Sequence, residues 1–529
     1  MSSVDTFSEP EHAVKIPFLE SLILTRTEVR QALLAASILC LFACAISVRH
    51  STWDDSYIIF RYVQNMVNGL GVVFNPGQRV EGYTGVLWIV VLAAGTRLTS
   101  DPIVLSKILG VLFAVSILLA SYILCRLLAR DRVPMYGFAL LLTASNTHFI
   151  VGSVSGLETP LFSSILCWSL VAYLMAIRAT RPQSQAGWCA GASSLFALLI
   201  LTRPDGIITY SLLWCHAVWR FRRQPRNVAI FTLPLLLVYT PYFFWRWHYY
   251  GFLFPNTFYV KCGGTLTLFA KGVLQTGKFF DNQTGGWFLA GFVGLTVLLL
   301  PAADTTVLGL AIASRVLFDL WSGGVTPGEF RFLVSALPLI WILAERVLAN
   351  GVGLLGSEPR NLPILAGTCA FLLAAQIASF AHARAQNIKP VETGMERAHI
   401  AVGKWLGAHT PPTSTIAVGD IGAIAYWSHA NILDLDGLTD THIAHLPGAF
   451  SEKQDSSYVL RQAPGYVVLR TSNCNPQSKD LPYGADKSVY SDPEFKKQYA
   501  PVGCWEFWRG LDLLMYQRNA PVQGMGKGP

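Results

Sequence analysis

The sequence predicts a polytopic α-helical membrane protein carrying a C-terminal α/β soluble domain, and three observations carry that prediction. Hydrophobic residues make up 52% of the 529 and charged residues only 14%, against about 25% in soluble domains. Apolar runs of about 17 to 23 residues recur up to residue 381, each long enough to cross a bilayer. Beyond that point the chain turns polar, with short apolar strands between loops. Mean hydropathy is +0.42. The net charge of +8 needs no nucleic-acid partner, because much of the excess lies in short basic loops beside apolar runs, such as 220–226.

Taken in order, residues 1–29 are polar and mixed in charge, and read as a cytoplasmic segment ahead of a retained first span. Candidate spans lie near 30–48, 103–125, 135–151, 157–177, 188–202, 205–219, 228–246, 285–300, 303–321, 330–348 and 361–381. A twelfth apolar stretch, 83–97, is short. The basic clusters at Arg126–Arg132, Arg178–Arg181, Arg220–Arg226 and Arg346–Arg360 fall on one side only if 83–97 is interfacial. That leaves about 11 crossings in a transmembrane domain over 30–381. The N-terminus is then inside, and loop 49–102 and the domain 382–529 are outside. The tail reads as a helix near 394–408 and strands at 415–419, 431–435 and 466–469. Its two cysteines, Cys474 and Cys504, can pair if the tail lies outside the cytoplasm.

The chemistry gathers in the first external loop. Asp54 and Asp55 directly follow the first apolar run, and adjacent carboxylates at a membrane surface are costly unless they bind a metal, a cation or a proton in transit. Asp54 can cap a helix from Ser56 to Asn68 closed by Gly69–Gly71, which accounts for one carboxylate and not for two. The other reading makes one of them a general base for an acceptor hydroxyl. Tyr57 and Arg61 share a helical face with Asp54, so Arg61 can keep it ionised. Arg61, Arg79, Arg203, His248, Lys261 and Arg331 are candidates for a lipid-linked donor's phosphate, each also suited to anchoring at the headgroups. Tyr57, Glu81, Tyr83, Glu158, Asn256, Tyr259, Glu329 and Asp420 are candidates for sugar or acceptor contacts, with interfacial belt, cap and loop roles as the alternative. No Walker loop, dinucleotide glycine pattern, nucleophile elbow or His/Cys zinc motif occurs, so no cofactor is called. A divalent cation remains open.

Asp54-Asp-Ser-Tyr-Ile-Ile-Phe-Arg-Tyr-Val-Gln-Asn65 and Gly71-Val-Val-Phe-Asn-Pro-Gly-Gln-Arg-Val-Glu-Gly-Tyr-Thr84 are followed, in order, by further motifs. These are Ser155–Glu158, Leu201–Gly206, Gly251–Lys261, Gly323–Phe332, Val418–Ala423 and Leu433–Asp440. In these the chain resembles the mycobacterial terminal β-(1→2) arabinofuranosyltransferases and their bacterial relatives, integral-membrane glycosyltransferases of the C type (GT-C). The resemblance implies a polyprenyl-phosphate sugar donor, a pentofuranose such as arabinofuranose, transfer on the outer face of the inner membrane, and Asp54 or Asp55 as the catalytic acid residue. The acceptor is left open between glycan, lipid and protein. Where that family carries an Asp after the paired glycines, this chain has Val325, with Glu329 nearby as a substitute. The competing readings are transfer of another lipid-linked sugar, mannose or aminoarabinose, or a non-catalytic homologue or polyprenyl-lipid transporter.

Overall fold

The computed structural model describes residues 25–129, 135–261, 265–284, 302–324, 330–355, 358–475 and 480–519, with short pieces at 14–15, 23–24 and within 286–294. Val325, Glu329 and most of the span expected at 285–300 lie outside the described residues.

Among these residues, six helices are long and apolar enough to cross a membrane. They are α1 (Arg26–Ser47), α4 (Pro102–Leu128), α7 (Thr159–Arg178), α8 (Pro182–Thr202), α10 (Pro225–Tyr250) and the rod α16 (Leu362–His409). Between them come α2 (Asp54–Val67), α3 (Val86–Gly95), α5 (Phe138–Ala144), α6 (Thr147–Val154), α9 (Gly206–Arg220), α11 (Asn256–Lys261), α12 (Leu266–Asp281), α13 (Ala303–Ser322), α14 (Arg331–Val334) and α15 (Leu337–Leu355). Helix α7 lies against α4 and α8 and is buried along nearly its whole length, so it forms the centre of the helical core.

Four expected spans differ. The run 303–321 forms the full-length α13 but carries the buried charges Asp304, Arg315 and Asp319, and 330–348 is divided by a turn at Ser335 and Ala336 into α14 and α15. The run 135–151 breaks into α5 and α6, because the Asn146 side chain accepts from the N–H groups of His148 and Phe149 and starts a new helix. The span expected at 205–219 is α9, whose 15 residues reach about 22 Å, short of a bilayer core of about 30 Å. Stretch 83–97 forms the ten-residue α3, also too short to span.

Helix α2 starts with both carboxylates in its first turn, where negative charge suits the dipole, and stops at Asn68 before Gly69 in a left-handed conformation. The rod α16 runs for 48 residues, about 72 Å, interrupted only by two π-helical turns at Arg384–Ile388 and Glu396–Ile400. It leads straight into a five-stranded sheet built from β1 (Thr415–Val418), β2 (Asn431–Asp434), β3 (Tyr466–Thr471), β4 (Tyr499–Trp505) and β5 (Asp512–Arg518). The order is β2-β1-β3-β5-β4, with the first three strands parallel and the last two antiparallel to their neighbours. Strands β1 and β3 are buried on both faces and apolar along most of their length, as parallel strands covered on two sides require. The β4–β5 hairpin was not anticipated. Cys474 and Cys504 form a disulfide. The crossover helix α17 (Ile421–Ser428) between β1 and β2 packs along α2 as well as against the end of the rod.

Candidate active site

Helices α2 and α17 lie side by side, and the first loop holds the soluble domain at both ends of α17. The Asp54 carboxylate accepts from the backbone N–H of Gly422 (2.9 Å) and Ala423 (2.8 Å), at the start of α17. Two turns along α2, Arg61 donates to the carbonyls of Ala425 (3.0 Å), His429 (3.3 Å) and Ala430 (3.0 Å) at its end, and to Phe74 (3.2 Å). One helix is thus capped by an acid at its positive end and a guanidinium at its negative end. Asn75 adds a reciprocal pair with the backbone of Ile432, at 2.8 and 3.0 Å. Tyr57 is buried edge-on to Phe60 and tilted against Tyr426. Arg61 therefore does not sit where a donor phosphate could take it, nor does it hydrogen-bond Asp54.

Asp55 has a different setting. Its side chain is 38% exposed and accepts from Arg331 at 3.1 Å. Burial pushes its carboxyl up, but Arg331 and Lys261 outweigh burial and hold it below the usual range. Asp54, with burial dominant over the pull of His399 and of its two N–H donors, is raised to about 6. Two neighbouring carboxylates are driven in opposite directions by their surroundings.

Asp420, the residue before α17, is near enough for its negative charge to push both carboxyls up. Its side chain is 33% exposed, and it meets His399 Nε2 at 2.9 Å and Arg470 at 3.2 Å. Burial works against its ionisation, but Arg470 and His399 bring it down to about 2. Arg470, in β3, also pairs with Asp436 (2.7 Å) and Asp486 (2.7 Å) and lies over Tyr483. Sequence reasoning missed His399, Arg470 and Asp486. The Asp434-Leu-Asp436 alternation, which puts two acids on one side of an extended chain, was the only available hint.

The remaining expected residues fall into two groups. Arg203 is buried between Glu158 (2.6 Å) and Asp205 (2.9 Å) and stacks on Phe332, next in sequence to Arg331. Glu81 pairs with Arg246, both buried. Tyr83 meets the Tyr250 hydroxyl at 3.0 Å, and Asn256 donates to Gly437 (2.7 Å) and Leu438 (3.1 Å). These side chains build the frame; apart from the buried Oδ1 of Asn256, the polar atoms named here face protein partners instead of an open cleft. Arg79 (over Tyr249 at 4.7 Å) and His248 are exposed, while Tyr259 packs tilted against His445 at 4.5 Å. Among the described residues, no three His, Cys, Asp or Glu side chains converge to hold a metal. Asp55 faces two cations and both Asp54 oxygens face N–H donors, so this donor set does not fit a divalent ion.

Solved structures share this arrangement of helices and sheet. ArnT from Cupriavidus metallidurans, bound to undecaprenyl phosphate, superposes with a TM-score of 0.55 over 93% of this chain and 98% of its own, at 13% identity. The oligosaccharyltransferase AglB from Archaeoglobus fulgidus, with an inhibitory peptide and a dolichol-phosphate, gives 0.53 over 93% and 75%, at 14% identity. The chain has the fold of ArnT and AglB. It is the GT-C fold expected from the resemblance. In sequence, the chain is 30% identical to the terminal β-(1→2)-arabinofuranosyltransferase of Mycobacterium tuberculosis over 39% of its length and 34% of that protein. It is 28% identical to the enzyme of the same name from Corynebacterium glutamicum, over 48% and 38%. The matches thus span little more than a third of these curated relatives. Residues 386–522 match a family model described as a domain of unknown function, DUF8728.

Proposed function

We propose that this protein is a membrane glycosyltransferase that moves a pentofuranose, arabinofuranose in the first instance, from a polyprenyl-phosphate donor to a glycan acceptor on the outer membrane face. The observation that carries this reading is the division of labour between the adjacent acids. Asp54 is engaged with α17, whereas Asp55 is partly open to solvent and faces Arg331 and Lys261. In the reaction, the bond between the sugar's anomeric carbon and the donor phosphate breaks, and the phosphate keeps the electron pair. The acceptor oxygen bonds to that carbon and its proton passes to Asp55. Arg331 and Lys261 stabilise the charge growing on the leaving phosphate. A phosphate that draws these two cations also relieves their hold on Asp55, raising its proton affinity when the donor is in place.

The relatives named arabinofuranosyltransferase support the pentose, and the lipid phosphates bound to ArnT and AglB support the donor class. The test is transfer from synthetic polyprenyl-phospho-arabinofuranose to glycan acceptors by wild type, Asp55→Asn and Asp54→Asn. Loss in Asp55→Asn by about 10²-fold or more, with Asp54→Asn retaining most activity, is the expected result. Equal turnover by Asp55→Asn and wild type would refute the mechanism.

A further inference from the structure

A cavity of about 520 Å³ opens at the opposite end of α2 from the two acids. Asn68 lies 13 residues beyond Asp55 on the same helix, about 20 Å away. The walls come from three parts of the chain: Gln64 and Asn68 of α2 with Leu70 beyond it, Thr96 and Ser100 from the α3–α4 turn, and His429 from the soluble domain. His429 closes one side of a cavity otherwise walled by the first loop and the α3–α4 turn, and such junctions are common places for ligand sites.

The lining contains no carboxylate. Its one permanent cation, Arg61, is directed at four backbone carbonyls, which leaves it poorly placed to recruit a phosphate. What the cavity offers is side-chain amide and hydroxyl groups beside the half-exposed apolar surfaces of Val67 and Leu70. This combination suits a neutral polyhydroxylated ligand, with hydrogen bonds for its hydroxyls and apolar surface for its C–H faces. We infer that this cavity is a second saccharide site, which holds a distal stretch of the acceptor glycan while the acceptor end reaches Asp55. The assignment rests on the glycosyltransferase reading above and specifies that the acceptor is a glycan of several units.

The experiment compares an arabinofuranose octasaccharide with a disaccharide as acceptors, in wild type and in Asn68→Trp and Ser100→Trp, two exposed positions where an indole fills the cavity. In wild type the octasaccharide should show a KM lower by about ten-fold or more, equivalent to about 1.4 kcal/mol. Either Trp variant should raise the octasaccharide KM far more than the disaccharide KM. Equal KM values for the two acceptors in wild type, or a length preference that survives both variants, would overturn the inference. Direct binding of the octasaccharide to the purified full chain separates this claim from the catalytic one. If no acceptor is used, binding that both Trp variants weaken still supports the site, and no octasaccharide binding to wild type overturns it.

Discussion

Replacing Asp54 by Ala should undock the soluble domain from the first loop while leaving Asp55, the proposed base, in place. The carboxylate satisfies two backbone N–H groups at the start of α17, at 2.9 and 2.8 Å. Alanine leaves both without an acceptor in a closely packed junction, at about 1–3 kcal/mol each, so the docked state should weaken by roughly 2–6 kcal/mol. Asparagine keeps one acceptor oxygen and should cost about half as much. Gly422→Ala should act in the same direction, since its new methyl carbon would sit 2.7 Å from the Asp54 carboxyl carbon. Hydrogen exchange followed by mass spectrometry reads this directly, as faster exchange across 421–428 in the order wild type, Asn, Ala. Because Asp54 is raised to about 6 from an ordinary value of 3.8, the docked state binds its proton more tightly than the undocked one. The docking stability it adds is therefore fully present below pH 4 and is lost as pH rises through 6. Asp54→Asn should remove that dependence. Unchanged exchange in Asp54→Ala, together with loss of turnover, would refute this reasoning and make Asp54 the reacting acid.

Three further outcomes follow from the same geometry. Arg331→Gln removes one of the cations that hold Asp55 low, so the acid limb of the kcat/KM profile should move to higher pH. Asp436→Asn takes one of three carboxylates from Arg470, which keeps Asp420 and Asp486; weakening these charge-assisted bonds should destabilise the soluble domain by about 1.5–3 kcal/mol, seen as a lower Tm of the full chain. Reduction of the Cys474–Cys504 disulfide, separated by 30 residues in sequence, should cost about 3–4 kcal/mol by loop entropy, measured as Tm with and without reductant.

The parts of this structure legible in the sequence are those governed by local pattern. Six bilayer-length helices are visible because apolar composition is enough to specify them, and β1, β2 and β3 stand out as short apolar runs, rich in β-branched residues in β1 and β3. The break at Asn146 also had a local signal, a capping residue ahead of an apolar run, that the span-length argument overrode. β4 was obscured by Pro501 and Gly503 within it, and its place in the sheet depends on pairing with β5. The partners of the charged residues were out of reach for a different reason. Asp54 finds Gly422, Arg61 finds Ala430 and Glu81 finds Arg246 across 165 to 369 positions, and no periodicity encodes such pairings. Two adjacent aspartates look identical in a sequence; only the neighbours supplied by folding tell the one tied to α17 from the one open to solvent.

The 48-residue rod that joins the last crossing to the sheet makes the soluble domain a lever arm. About 30 Å of its roughly 72 Å matches the bilayer core, leaving about 40 Å to project. A change of 5° in tilt, of the kind a thicker or thinner bilayer imposes, would swing the far end by about 3.5 Å. That is more than a hydrogen-bond length, and the other end of the domain is pinned to α2 by Asp54 and Arg61. Bilayer thickness would thus be felt as mechanical load on the same junction that sets Asp420 opposite Asp55.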